Sequence, residues 1–203
     1  MHPFRMRFSS IEIQHLFRAW LAISVAFAIM NVGFSLTPKF VVAVLLSALT
    51  VGVGFLLHEL MHKYFAQKYG CVAEFRAFDR MLLIALAMSF FGFIFAAPGG
   101  VFIQGQVNRA RSGRISVAGP LTNVFLAATF LIISVAAAAF APYRLLLALA
   151  AYGATINSWL AVFNMLPFFG LDGLKVLLWN KAVYGATMAA AVVMMAMANI
   201  LLR

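Results

Sequence analysis

A series of long apolar runs constrains this chain more than any other feature. They extend from about Trp20 to Leu36, Phe40 to Phe65, Met81 to Val107, Ile115 to Ala141, Leu145 to Pro167 and Ala182 to Leu202. Five of them have spanning length, about 20 apolar residues for a bilayer helix. The third is interrupted by Gly92 and Pro98-Gly99-Gly100, continues into the strand-like Val101-Phe102-Ile103, and ends in Gln104-Gly105-Gln106. Hydrophobic residues make up 65% of the 203 and charged residues 10%, against about half and about a quarter in a soluble domain. No soluble fold of this size can hide so much apolar surface, so the bilayer is the main solvent. The fold class is therefore an all-α polytopic membrane protein with about five to six transmembrane helices.

The charge pattern decides the path of the third run. If residues 81–107 cross the membrane, nine of the fifteen basic residues lie on the N-terminal side. If they do not cross, the tally is twelve of fifteen, which obeys the positive-inside rule. Residues 81–107 are thus expected to form a re-entrant or short β-like element, whose extended backbone must be satisfied by other protein or by water. The N-terminal run after Arg18 exceeds a signal-peptide core and reads as a retained helix or signal anchor. No soluble domain is expected at either end, so residues 1–203 read as a single membrane-embedded domain.

The net charge of +10 does not indicate nucleic acid: the basic residues flank apolar segments, and no aromatic-basic platform for stacking accompanies them. The single Cys71 excludes an intrachain disulfide and a multi-cysteine metal site.

The acids are Glu12, Glu59, Glu74, Asp79 and Asp172, and the histidines His2, His15, His58 and His62. Two of these histidines and one acid fall in the five residues His58-Glu59-Leu60-Met61-His62. Positions i and i+4 share a helix face, so His58 and His62 can present two imidazoles to one zinc ion, with Glu59 as general base. Buried polar residues satisfied by neighbours are the simpler explanation of such a pattern. Against it, the motif follows the apolar run Val51 to Leu57, where these side chains are costly without partners or a function. The helix is expected to stop near Gly70, with Lys63 and Lys68 in its last turns.

A catalytic zinc site usually has a third protein ligand. Glu74 and Asp79, interleaved with Arg76 and Arg80, read as surface ion partners. Asp172, in Leu171-Asp172-Gly173, reads either as a turn or helix cap or as that ligand. The twelve-of-fifteen topology brings Asp172 to the depth of His58, which favours the ligand reading. Asn157, Ser158 and Asn164 either line a water-accessible cavity, bind extended substrate, or bond between helices. Gly119-Pro120-Leu121-Thr122-Asn123 is expected to begin a helix, Gly119 allowing close backbone approach.

Together His58-Glu59-x-x-His62, Gly119-x-x-x-Asn123, and Asn164-x-x-Pro167 followed by Leu171-Asp172-Gly173 resemble the site-2 protease family of intramembrane zinc metalloproteases. They stand in family order over a core of about residues 45–180. The resemblance implies one zinc ion held by His58, His62 and Asp172, with Glu59 activating water. It also implies an endopeptidase of the cell membrane that cleaves transmembrane protein substrates near the cytosolic side. Asn123, Asn157 and Asn164 are the candidate substrate-binding or cavity-lining residues, and residues 98–106 the candidate element gripping extended substrate. The PDZ module of many bacterial members is not expected here. The competing readings are a metal-binding transporter, against which stand the absence of paired broken helices in repeated halves and the presence of Glu59, and an inactive homologue, against which stands the complete set of candidate residues.

Overall fold

The computed structural model describes residues 5–94, 98–140, 143–168 and 170–201. His2, Arg203 and residues 95–97 of the third apolar run lie outside them. Among the described residues, five helices are long and apolar enough to cross a membrane. They are α1 (Ser10–Val32), the continuous helix Pro38–Lys68, α5 (Arg109–Phe140), α6 (Arg144–Asn164) and α8 (Lys181–Leu201). The second consists of α2 (Pro38–Ser47) and α3 (Val53–Lys68), joined through a π-helical turn at Ala48–Gly52. Shorter elements lie between the spans: β1 (Val72–Ala77), α4 (Asp79–Ser89), β2 (Gly99–Gln104) and α7 (Asp172–Trp179).

Two helices begin earlier than the apolar runs indicate, because capping side chains rather than hydropathy set their starts. The Ser9 hydroxyl accepts the Glu12 N–H at 3.1 Å, so α1 starts at Ser10 instead of near Trp20. It ends at Gly33, whose φ of 73° is readily adopted only by glycine. Asn108 likewise accepts the Arg111 N–H at 2.9 Å, opening α5. Gly119-Pro120, expected to begin this helix, instead lies well inside it, with both residues buried. The motif helix α3 does stop as expected: it ends at Lys68, and Gly70 has φ 80°.

The strands explain the third apolar run. β1 and β2 are antiparallel, with Val72 opposite Gln104 and Ala77 opposite Gly99. The two ends of the segment between them therefore lie side by side, as expected of a segment that does not cross. Among its described residues the one regular helix, α4, has 11 residues, well short of a span. Leu82 of α4 packs in one cluster with Leu16, Ala19 and Ile23 of α1, and Asp79 pairs with Arg18 at 3.4 Å. Glu74 pairs with Arg76. Asp79 and Glu74 are thus the surface ion partners that the sequence suggests.

The outer edge of β1 is closed by side chains. Glu12 accepts the Phe75 N–H at 2.9 Å, and His15 Nδ1 accepts the Ala77 N–H at 3.0 Å. Lys63 and Gln67 donate to the Ala73 carbonyl at 3.0 and 3.2 Å. Lys63, in the last turns of α3 as expected, is 1% exposed and pairs with the fully buried Glu12. A buried charge requires such a partner.

The π-helical turn widens the backbone just before the histidine motif. The Trp20 indole N–H donates to the Ala48 carbonyl at 3.1 Å, tying this turn to α1. Gly52 makes room for that ring: a Cβ there would lie 2.7 Å from Trp20 Cδ1.

Candidate metal centre

α3 carries His58, Glu59 and His62, all buried. One helical turn separates the two imidazoles, whose ring centres are 4.6 Å apart. Asp172 reaches them from the far end of the chain. It is the first residue of α7, seated by Gly173, where a Cβ would collide with the Met165 carbonyl oxygen. Asp172 Oδ2 lies 3.2 Å from His58 Nε2 and 3.0 Å from His62 Nε2. One ligand atom from each of the three residues falls within 4.8 Å of the others, a grouping that could hold a metal ion.

The far sides of the rings define which nitrogen faces the centre. His62 Nδ1 is 2.8 Å from the Ile115 carbonyl, and His58 Nδ1 is 2.6 Å from the Asn123 side-chain oxygen. Oxygen acceptors there place the proton on Nδ1, and a neutral imidazole then has its lone pair on Nε2. Two such lone pairs and a carboxylate converge on one point, and they repel unless a cation lies among them. This donor set, two imidazole nitrogens and one carboxylate, fits zinc with a position left open. Asp172, whose Oδ2 faces both Nε2 atoms, would serve such an ion as a carboxylate.

Glu59, next to His58 on α3, is 9% exposed. Gly119 of α5 passes directly against the rings. A Cβ there would lie 2.5 Å from His62 Nε2 and 2.6 Å from His58 Nε2. Gly119→Ala is accordingly expected to weaken zinc retention by at least about tenfold, measured by chelator competition. Helix propensity alone acts in the opposite direction, favouring Ala by about 1 kcal/mol.

The three asparagines occupy different places. Asn123 and Asn157 are fully buried and bonded to each other at 3.0 Å, next to His58. Asn164 instead donates to the Leu160 carbonyl of its own helix at 2.9 Å. The Ile115 carbonyl, which orients His62, carries no sequence signal because every residue has one. Lys63 did carry a signal: it is a charge within an apolar run and needs a partner.

The chain is similar to several zinc metalloproteases. A Methanocaldococcus jannaschii protein assigned as one is 41% identical over 180 residues, 88% of this chain and 89% of that protein. A second protein of that organism, named a zinc metalloprotease, is 30% identical over 168 residues, 82% of this chain and 41% of its own length. Rip3 of Mycobacterium tuberculosis, also assigned as a zinc metalloprotease, is 30% identical over 129 residues, 62% of this chain and 29% of its own length. No protein-family model matches the chain, and no solved structure matches it.

Proposed function

Because this chain belongs to the site-2 protease family of zinc metalloproteases, we propose that it is an intramembrane endopeptidase, hydrolysing peptide bonds in or near transmembrane segments of other membrane proteins. The observation that carries this reading is the position of the donor set. His58 and His62 lie within a helix long and apolar enough to span a membrane, and Asp172 is buried against them.

His58, His62 and Asp172 would hold one zinc ion. When bound there, zinc supplies Lewis acidity that polarises a peptide carbonyl and makes water more acidic. The protein's own groups do the rest. Glu59 takes the proton of the attacking water and delivers it to the departing amine nitrogen, while its burial keeps bulk water from competing for that proton. The Ile115 and Asn123 oxygens hold the imidazoles in one orientation. A helical substrate must first unwind, since its carbonyls are already bonded. The hairpin offers a template for the extended form. β1 has its outer edge closed by Glu12, His15, Lys63 and Gln67, whereas β2 has no second strand partner among the described residues. A substrate strand paired along residues 98–106 would be presented through backbone hydrogen bonds. Twelve of the fifteen basic residues lie on the side of the spans to which His62 and Asp172 are nearer. That bias supports a multi-pass protein of the cell membrane with its site toward the cytosol.

Cleavage-site mapping tests this reading. Purified protein in liposomes, given a single-span substrate labelled at both ends, is expected to cut within or next to the apolar segment. Cuts confined to soluble, unfolded polypeptide, with the spanning substrate left whole, would reduce the assignment to an ordinary metalloprotease.

A further inference from the structure

The sequence leaves the role of Asn157 open, and no step of the proposed hydrolysis uses it. Asn157 lies on α6, fully buried, in a chain of side-chain amides that runs through α5 to the metal centre on α3. Its Nδ2 donates to the Gly153 carbonyl at 2.9 Å, which leaves its Oδ1 to accept from Asn123 Nδ2 at 3.0 Å. Asn123 Nδ2 also donates to the Gly54 carbonyl at 3.2 Å. Asn123 Oδ1 is then the atom that faces His58 Nδ1, at 2.6 Å.

The direction of this chain is fixed by its ends. Backbone carbonyls only accept, so each amide nitrogen must face one. Turning Asn157 round would set two donors against each other at Asn123 and two acceptors against each other at Gly153. Turning Asn123 round would aim its oxygen at the Gly54 carbonyl and at Asn157 Oδ1, and its nitrogen at His58. His58 would then have to accept on Nδ1 and carry its proton on Nε2, where it blocks metal binding. The space is shaped for the relay as well, because a Cβ on Gly54 would collide with Asn157 Oδ1.

We propose that Asn157 is a positioning residue for the metal centre: by accepting from Asn123, alongside the Gly54 carbonyl, it helps fix which end of that amide meets His58, and so keeps the His58 lone pair on Nε2. Zinc capture at α3 thereby depends on α6, a helix that supplies none of the three candidate ligands. The proposal rests on His58 being a metal ligand.

The test uses the full-length protein in detergent, with histidine-selective ¹⁵N labelling and zinc affinity measured by chelator competition. Metal-free wild type is expected to show His58 protonated on Nδ1. Asn157→Leu, which keeps the size and removes the acceptor, is expected to give a mixture of tautomers and zinc binding weaker by about 10–100-fold. Asn157→Ala removes the same acceptor with less bulk and is expected to behave alike, which covers a failure of the leucine variant to fold. Adding Asn123→Asp to either should restore the Nδ1–H tautomer and most of the affinity, because a carboxyl presents an oxygen to His58 whichever way it turns. A purely packing role for Asn157 predicts no such rescue. Unchanged tautomer and affinity in Asn157→Leu or Asn157→Ala would overturn the relay while leaving the zinc site intact. Wild-type zinc affinity in His58→Ala would instead overturn the ligand assignment beneath it.

Discussion

Glu59→Gln is expected to lower peptide hydrolysis by about 10²–10⁴-fold, the range for loss of a positioned general base, while the protein retains its zinc. The two effects separate because Glu59 is not among the three grouped ligand atoms, which belong to His58, His62 and Asp172. Glutamine keeps the volume and polarity of the side chain but cannot take a proton at neutral pH. His58 and His62 keep their Nδ1 partners, Asn123 and Ile115, so the imidazoles stay oriented. The measurement pairs hydrolysis rates of the two proteins with zinc content after exhaustive dialysis. Loss of zinc together with activity would mean that Glu59 helps hold the metal, and full activity would remove it from the reaction.

Glu12→Ala is expected to destabilise the protein by about 3–5 kcal/mol, the cost of leaving a buried charge without its partner. Lys63 is 1% exposed and Glu12 fully buried, so neither has water as a substitute. The Ala73 carbonyl and the Phe8 ring, 4.5 Å from Nζ, contact the ammonium but cannot neutralise it. The same substitution also frees the Phe75 N–H on the closed edge of β1. Lys63 is adjacent to His62, so the loss is expected to loosen both the hairpin and the motif helix. Denaturant unfolding in detergent measures the effect. Combining Glu12→Gln with Lys63→Met removes both charges and is expected to recover much of the lost stability, since a well-packed neutral pair avoids the desolvation cost. A single Glu12→Ala variant as stable as wild type would show that the pair contributes nothing.

The grouping of His58, His62 and Asp172 was legible in the sequence for two physical reasons. His58 and His62 are local in sequence, and helix periodicity alone puts them on one face. Asp172 is remote, but the positive-inside bias decided that residues 81–107 turn back, and that topology brought Asp172 to the histidines. The hairpin pairing Ala77 with Gly99 realises the same turn. What stayed hidden was the identity of partners. A buried asparagine in an apolar helix announces that it needs a hydrogen bond, but nothing in the sequence says that Asn123 meets Asn157 and His58. Glu12 and Lys63, 51 residues apart, pose the same problem. The starts of α1 and α5 were missed because hydropathy reports the apolar part of a helix, whereas Ser9 and Asn108 cap polar turns outside it. The π-helical turn at Ala48–Gly52 leaves no trace in an unbroken apolar run.

Zinc K-edge X-ray absorption on the purified protein tests the central claim most directly. The account predicts one zinc per chain, with two imidazole nitrogens and carboxylate oxygen at about 2.0–2.1 Å in the first shell, and loss of that signal in Asp172→Ala. A sulfur scatterer at about 2.3 Å, or an unchanged first shell in Asp172→Ala, would contradict it.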